Sequence, residues 1–256
     1  MEPTCTKRYH ILDFLRGLAV INMVIYHACY DLVMIFHVDW PFFYTQGAFY
    51  WQQMICISFI CISGCVASFS NHLMKRGWIV FGAGMLMTVV TYFVIPSQII
   101  LFGVLSLLGS AMIITALIRP FLLKILPVIG LSGSILLFLL FRWVDMGKLS
   151  FFYLWEYELP VKLYQTHFLF FLGFPNKEFH SADYFPILPW VFLYLTGFYL
   201  AIMVRNYVER TKHDKLLSFR IRPINFLGRH TLLIYLIHQP AIYLLCNILQ
   251  SHAILK

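Results

Sequence analysis

Seven apolar stretches, at 11–36, 47–70, 78–95, 99–118, 121–142, 186–204 and 230–250, divide the chain. Each is long enough to cross a hydrocarbon core of about 30 Å as a helix. Polar and charged residues gather between them, so the pattern predicts an all-α, polytopic helical membrane protein with seven spans in a single domain over 1–256. No internal repeat of fixed period is visible, which gives an inverted-repeat transporter architecture no support.

The first stretch departs from a plain span. It carries Asp13, Arg16, His27 and Asp31. At 100° per residue, His27 lies about 20° from Arg16 around a helix, and Asp13 and Asp31 each lie within about 60° of Arg16. One side of an apolar helix is thus ionisable. Such groups cost roughly 2.5–3.5 kcal/mol each at mid-bilayer on the insertion scale, so a functional reading is the default. The structural alternative is an Asp13–Arg16 pair at the helix foot with His27 packed as a core residue.

Composition agrees with the pattern: 61% of residues are hydrophobic and 12% charged, which excludes an ordinary soluble domain. The net charge of +8 is mostly topological. Lys7 and Arg8, Lys75 and Arg76, Arg119 and Lys124, and the run Arg205, Arg210, Lys212, Lys215, Arg220, Arg222 and Arg229 fall on alternate connections. The positive-inside rule makes these cytoplasmic, with the amino terminus inside and the carboxyl terminus outside; the membrane expected is the cell's cytoplasmic, or inner, membrane. Nothing requires a nucleic-acid partner, but basic inner loops also suit a polyanionic cytosolic ligand beside the lipid bilayer. The first stretch, preceded by few residues and no small-residue cleavage site, reads as a retained span. The six cysteines are scattered without zinc-finger spacing and read as small buried hydrophobes.

His27 lies about 24 Å along the helix from Ile11, in the outer half of the membrane, and Arg16 about 8 Å from the inner surface. Asp31, four residues on, is placed to accept a hydrogen bond from the imidazole and raise its basicity. This spacing builds a base, and with no third ligand on the helix no metal is expected. His37 follows in His37-Val38-Asp39-Trp40, either as an interfacial histidine or as a second reactive one. The last stretch carries Arg229, His230, His238, Gln239 and Pro240, readable as a capped proline kink or as a binding face. Connection 143–185 is long and aromatic, and closes on Asp183 and Trp190. It reads as a headgroup-level belt or as a stacking platform for a sugar. Connection 205–229 is a basic inner loop. A homodimer stays open.

The string Leu12-Asp13-Phe14-Leu15-Arg16-Gly17-Leu18-Ala19, with His27 and Asp31-Leu32, resembles the bacterial relatives of the heparan-α-glucosaminide N-acetyltransferase catalytic domain. So do Phe102-Gly103-Val104-Leu105, Asp183-Tyr184-Phe185-Pro186 with Pro189-Trp190, and Gly228-Arg229-His230 through His238-Gln239-Pro240. The Arg16 to His27 spacing is also similar to that of the family-three acyltransferases, and the resemblance covers Arg8 to Pro240. It implies an acyltransferase that takes acetyl from cytosolic acetyl-CoA and delivers it to a glycan or amino sugar across the membrane. By the same resemblance His27 is the first-helix histidine and Arg16 its basic partner. In the lysosomal relative an asparagine takes the His27 position and the histidine falls near His37, so both are candidates. Relatives often carry histidine where this chain has Ser106.

For such an enzyme the inner basic groups Lys75, Arg76, Arg229 and His230 are the expected rest for the CoA phosphates, since Lys and Arg make charge-assisted bonds to phosphate, with Arg16 and His238 along the donor path. Asp183, Trp190 and Trp40 are the acceptor-side candidates. The competing class is a proton-coupled or solute transporter that uses the polar side of the first helix as its relay.

Overall fold

Among the described residues of the computed structural model, 9–151, 154–212 and 216–251, seven helices are long and apolar enough to cross a membrane. Cys5, Lys7, Arg8, Phe152, Tyr153 and Lys215 lie outside those residues. The spans are α1 (His10–Met34), α2 (Gln46–Ser68), α3 (Leu73–Val94), α4 (Val104–Leu122), α5 (Pro127–Leu140), whose span continues through turns to Met146, α6 (Ile187–Thr211) and, after a short α7 (Arg222–Arg229), α8 (Thr231–Ser251). The architecture is all-α and polytopic, as the apolar pattern predicts.

Helix ends differ from the pattern where charge sits on a helix. Helix α3 starts at Leu73, so Lys75 and Arg76 occupy its first turn, and α6 runs through Arg205 and Arg210 to Thr211. Lys and Arg propagate a helix about as well as most residues, so hydropathy marks where charge begins and not where the helix ends. Helix α4 starts later than expected, at Val104, because Phe102 takes a left-handed φ of 58° and Gly103 caps the helix in extended backbone. Connection 205–229 is only partly a loop, since it holds the end of α6 and all of α7.

The contacts form two compact units, 1–59 with 208–256, and 60–207. In the first, α1 packs against α7 and α8. The approach of α1 to α7 is backbone on backbone: a Cβ on Gly17 would overlap the Ile224 carbonyl oxygen, and one on Gly228 the Asp13 carbonyl oxygen. Only glycine permits that separation. Asn225, 1% exposed, locks the pair: its amide nitrogen donates to the His10 carbonyl at 2.7 Å and its oxygen accepts from Ile221 N at 2.9 Å. Further along α1, Cys29 and Val33 pack with Phe43, Tyr26, Tyr30 and Trp51.

In the second unit α3 and α4 form a tight antiparallel hairpin, with Ser106 against Gly84 and Phe81 against Gly109. The inward side of α6 supplies Tyr194, Phe198 and Tyr199, all nearly fully buried. The Arg119 guanidinium donates to the Ser68 and Ser70 carbonyls at 2.9 and 2.6 Å and so closes the end of α2. Connection 143–185 is more ordered than a loop: β1 (Lys148–Phe151) and β2 (Trp155–Glu158) pair antiparallel, with Leu149 opposite Tyr157.

Candidate functional site

The foot of α1 is built round one carboxylate. Asp13, with a side chain 6% exposed, accepts from Arg16 Nη2 at 2.5 Å through Oδ1, and Arg229 Nε stands 3.5 Å from Oδ2. The first contact is local, one helical turn apart. The second is tertiary: Arg229 ends α7, and Gly228 lies on the backbone of Asp13. Residues from both ends of the chain therefore meet on Asp13. Each guanidinium has five N–H donors, so holding Asp13 leaves donors on both for a further anion.

Some four turns along α1 lies a second cluster. The rings of His27 and His238 pack edge to face at 4.9 Å. Asp31, 1% exposed, accepts from Gln239 Nε2 at 3.4 Å. The expected hydrogen bond from His27 to Asp31 is not made. His27 Nδ1 is buried without a partner, because both side chains turn from α1 toward α8, where His238 and Gln239 meet them. His238 Nδ1 lies 2.6 Å from the Tyr235 carbonyl. A carbonyl only accepts, so Nδ1 carries the proton and Nε2 the lone pair in the neutral ring. Pro240 leaves α8 continuous through Ser251. Helices α1 and α8 run in the same direction here, His27 beside His238 and Phe36, just past the end of α1, beside Tyr243, as first and seventh spans of alternating polarity must.

Other sequence candidates stand apart. His37 lies beyond the end of α1, exposed, with a φ of 56°. Trp40, 39% exposed, sets its ring against Phe42 at 6.1 Å. His230 is exposed and donates through Nδ1 to the Phe226 carbonyl at 2.9 Å.

In the second unit, Lys75 lines an open cleft of about 840 Å³ with Asn71, His72, Trp78 and Arg119, and Arg76 is exposed on the same turn of α3. Asp183 and Trp190 are engaged by the frame. The Asp183 carboxylate accepts from Val104 N at 3.1 Å. Ala182 N and Phe185 N donate to the Ile99 and Phe102 carbonyls, so the Asp183-Tyr184-Phe185 and Phe102-Gly103 strings are one structural strap. Trp190, 5% exposed, is enclosed by Phe185, Phe138 and the Arg142 guanidinium.

Sequence reading missed Asn225 and underrated Asp13. The signal for Asn225 was present in Arg222-Pro223-Ile224-Asn225: proline opens a helix, and an amide one turn on can reach back to its free N–H groups.

No curated protein and no solved structure matches the chain significantly. A family model, heparan-alpha-glucosaminide N-acetyltransferase, catalytic, matches residues 8–240, and that span holds both clusters and the strap. The chain thus belongs to the heparan-alpha-glucosaminide N-acetyltransferase catalytic-domain family, as a multi-pass membrane acetyltransferase.

Proposed function

We propose that this protein takes acetyl from cytosolic acetyl-CoA and transfers it to a hydroxyl or amine of a glycan or amino sugar on the far side of the cell's inner membrane. The observation that carries this reading is the His27 imidazole, inside an apolar helix pair with one ring nitrogen unpaired. A buried imidazole with a free nitrogen is a base or a nucleophile waiting for a partner.

The donor's phosphates would rest on the basic groups at the foot of α1, Arg16 and Arg229 through donors not used by Asp13, with His230 beside them. His27 takes the proton of the attacking O–H or N–H. The new C–O or C–N bond forms at the thioester carbonyl, the C–S bond breaks, and CoA thiolate leaves and recovers the proton. In the alternative route His27 attacks first and carries the acetyl group, which a burst of CoA release without acceptor would reveal. Since Asp183 and Trp190 are engaged in packing, Trp40 is the remaining aromatic platform for a sugar ring.

The test is CoA release from acetyl-CoA by protein in nanodiscs, with and without amino sugars, in wild type, His27→Ala and His37→Ala. Loss of a general base lowers turnover by about 10²–10⁴-fold, and this loss is expected in His27→Ala. Turnover that survives in His27→Ala and disappears in His37→Ala moves the chemistry beyond the end of α1. A wild type that neither binds acetyl-CoA nor releases CoA refutes the acyltransferase reading.

A further inference from the structure

Three polar atoms on neighbouring side chains of α1 and α8 are buried and have no hydrogen-bond partner: His27 Nδ1, His238 Nε2 and Gln239 Oε1. Native interiors rarely leave such groups unmet, and a cluster of them calls for a ligand. Their polarity says which kind. His238 Nδ1 is committed to the Tyr235 carbonyl, so Nε2 is an acceptor. The Gln239 amide nitrogen is committed to Asp31, so Oε1 is an acceptor as well. Asp31 is a buried carboxylate, and no cation pairs with it among the described residues. His238 itself is 6% exposed. The cluster therefore offers acceptors, with His27 able to serve in either sense.

Phosphates and a thioester carbonyl are themselves acceptors and need donors, so this cluster does not match either of those groups of the acyl donor. We propose that Asp31, His238 and Gln239 form the recognition site for the attacking group of the acyl acceptor, a primary amine or a hydroxyl, held by its own N–H or O–H donors beside His27. This rests on the acyltransferase reading. It moves His238 from the donor path to the acceptor. An amine suits the site best, because an ammonium arriving from water meets the Asp31 carboxylate; it gives one proton to solvent to become the neutral nucleophile, and His27 takes the second as the C–N bond forms and passes it to the departing thiolate.

The experiment uses the full chain in nanodiscs with glucosamine as the amine probe and methyl glucoside as the hydroxyl-only probe, following CoA release. Acetyl-CoA binding is measured separately by calorimetry. The variants are Gln239→Leu and His238→Phe, which remove acceptors, and His238→Gln, whose Oε1 falls near the Nε2 position. Loss of one buried hydrogen bond is read as roughly a tenfold rise in KM for the sugar. That rise is expected in Gln239→Leu and His238→Phe with acetyl-CoA affinity within about twofold of wild type, and most of it is recovered in His238→Gln. If Gln239→Leu fails to fold, the contrast between His238→Phe and His238→Gln decides. Turnover with glucosamine alone assigns an amine, and with methyl glucoside a hydroxyl.

An unchanged sugar KM in His238→Phe, or a rise in acetyl-CoA KM in its place, overturns the inference. So does a wild type that binds acetyl-CoA and acetylates neither sugar. A wild type without acetyl-CoA binding removes the acyltransferase reading and this inference with it.

Discussion

Asp13→Asn tests how the foot of α1 is held. The substitution keeps shape and removes charge from a side chain 6% exposed, between guanidiniums whose side chains are 28% and 35% exposed. Breaking a fully buried pair from one side costs about 3–5 kcal/mol, because the other charge is stranded. Here both guanidiniums keep contact with their surroundings, and the amide oxygen can still accept one N–H. Discounting for that exposure leaves about 1.5–3 kcal/mol. At roughly 2–4 °C per kcal/mol for a chain of this size, the unfolding midpoint should fall by about 3–12 °C.

Thermal unfolding in detergent, followed with a thiol-reactive dye, reads this directly, since Cys29, Cys65 and Cys246 are free and buried. Arg229→Gln supplies the second arm of a double-mutant cycle. Because both variants break the same contact, the double variant should lose less than the sum by about 0.5–1.5 kcal/mol. Strict additivity, or a midpoint within about 1 °C of wild type, would show that Asp13 does not bind the two arginines together and would refute this account of the foot.

Gly228→Ala should destabilise by about 1–3 kcal/mol, since the new Cβ overlaps the Asp13 carbonyl and must push α7 from α1. Gly133→Ala, where a Cβ meets nothing within 4 Å, should be neutral or stabilising by up to about 1 kcal/mol; equal midpoints for the two variants would contradict the close approach. Asp183→Asn should cost about 0.5–2 kcal/mol through its contact to the start of α4 and leave the glucosamine KM unchanged. A rise in that KM would return Asp183 to the acceptor site.

The apolar runs alone determined that the chain is an all-α membrane protein with seven spans, because roughly twenty apolar residues in a row have no other stable home. They also marked α1 as the unusual helix: ionisable side chains there are too costly to be incidental, and helical geometry puts Arg16, His27 and Asp31 on one side. Spacing within one element could not say which partner each would take. His27 and Asp31 are four residues apart and look made for each other, yet in the folded chain each turns to α8, because His238 and Gln239 compete for them at contact distance.

The same limit applies elsewhere. Arg229 and Gly228 looked like a loop end until α7 set them on the backbone of Asp13, and nothing in the order of residues announced that Asp183 would hold the start of α4 or that Trp190 would be enclosed by the α6 packing. Hydrophobic length is a property of the chain taken in order, whereas the partner of a buried polar group depends on which distant backbone comes near. Tertiary structure alone decided that, through glycines at 17 and 228 that let the helices close.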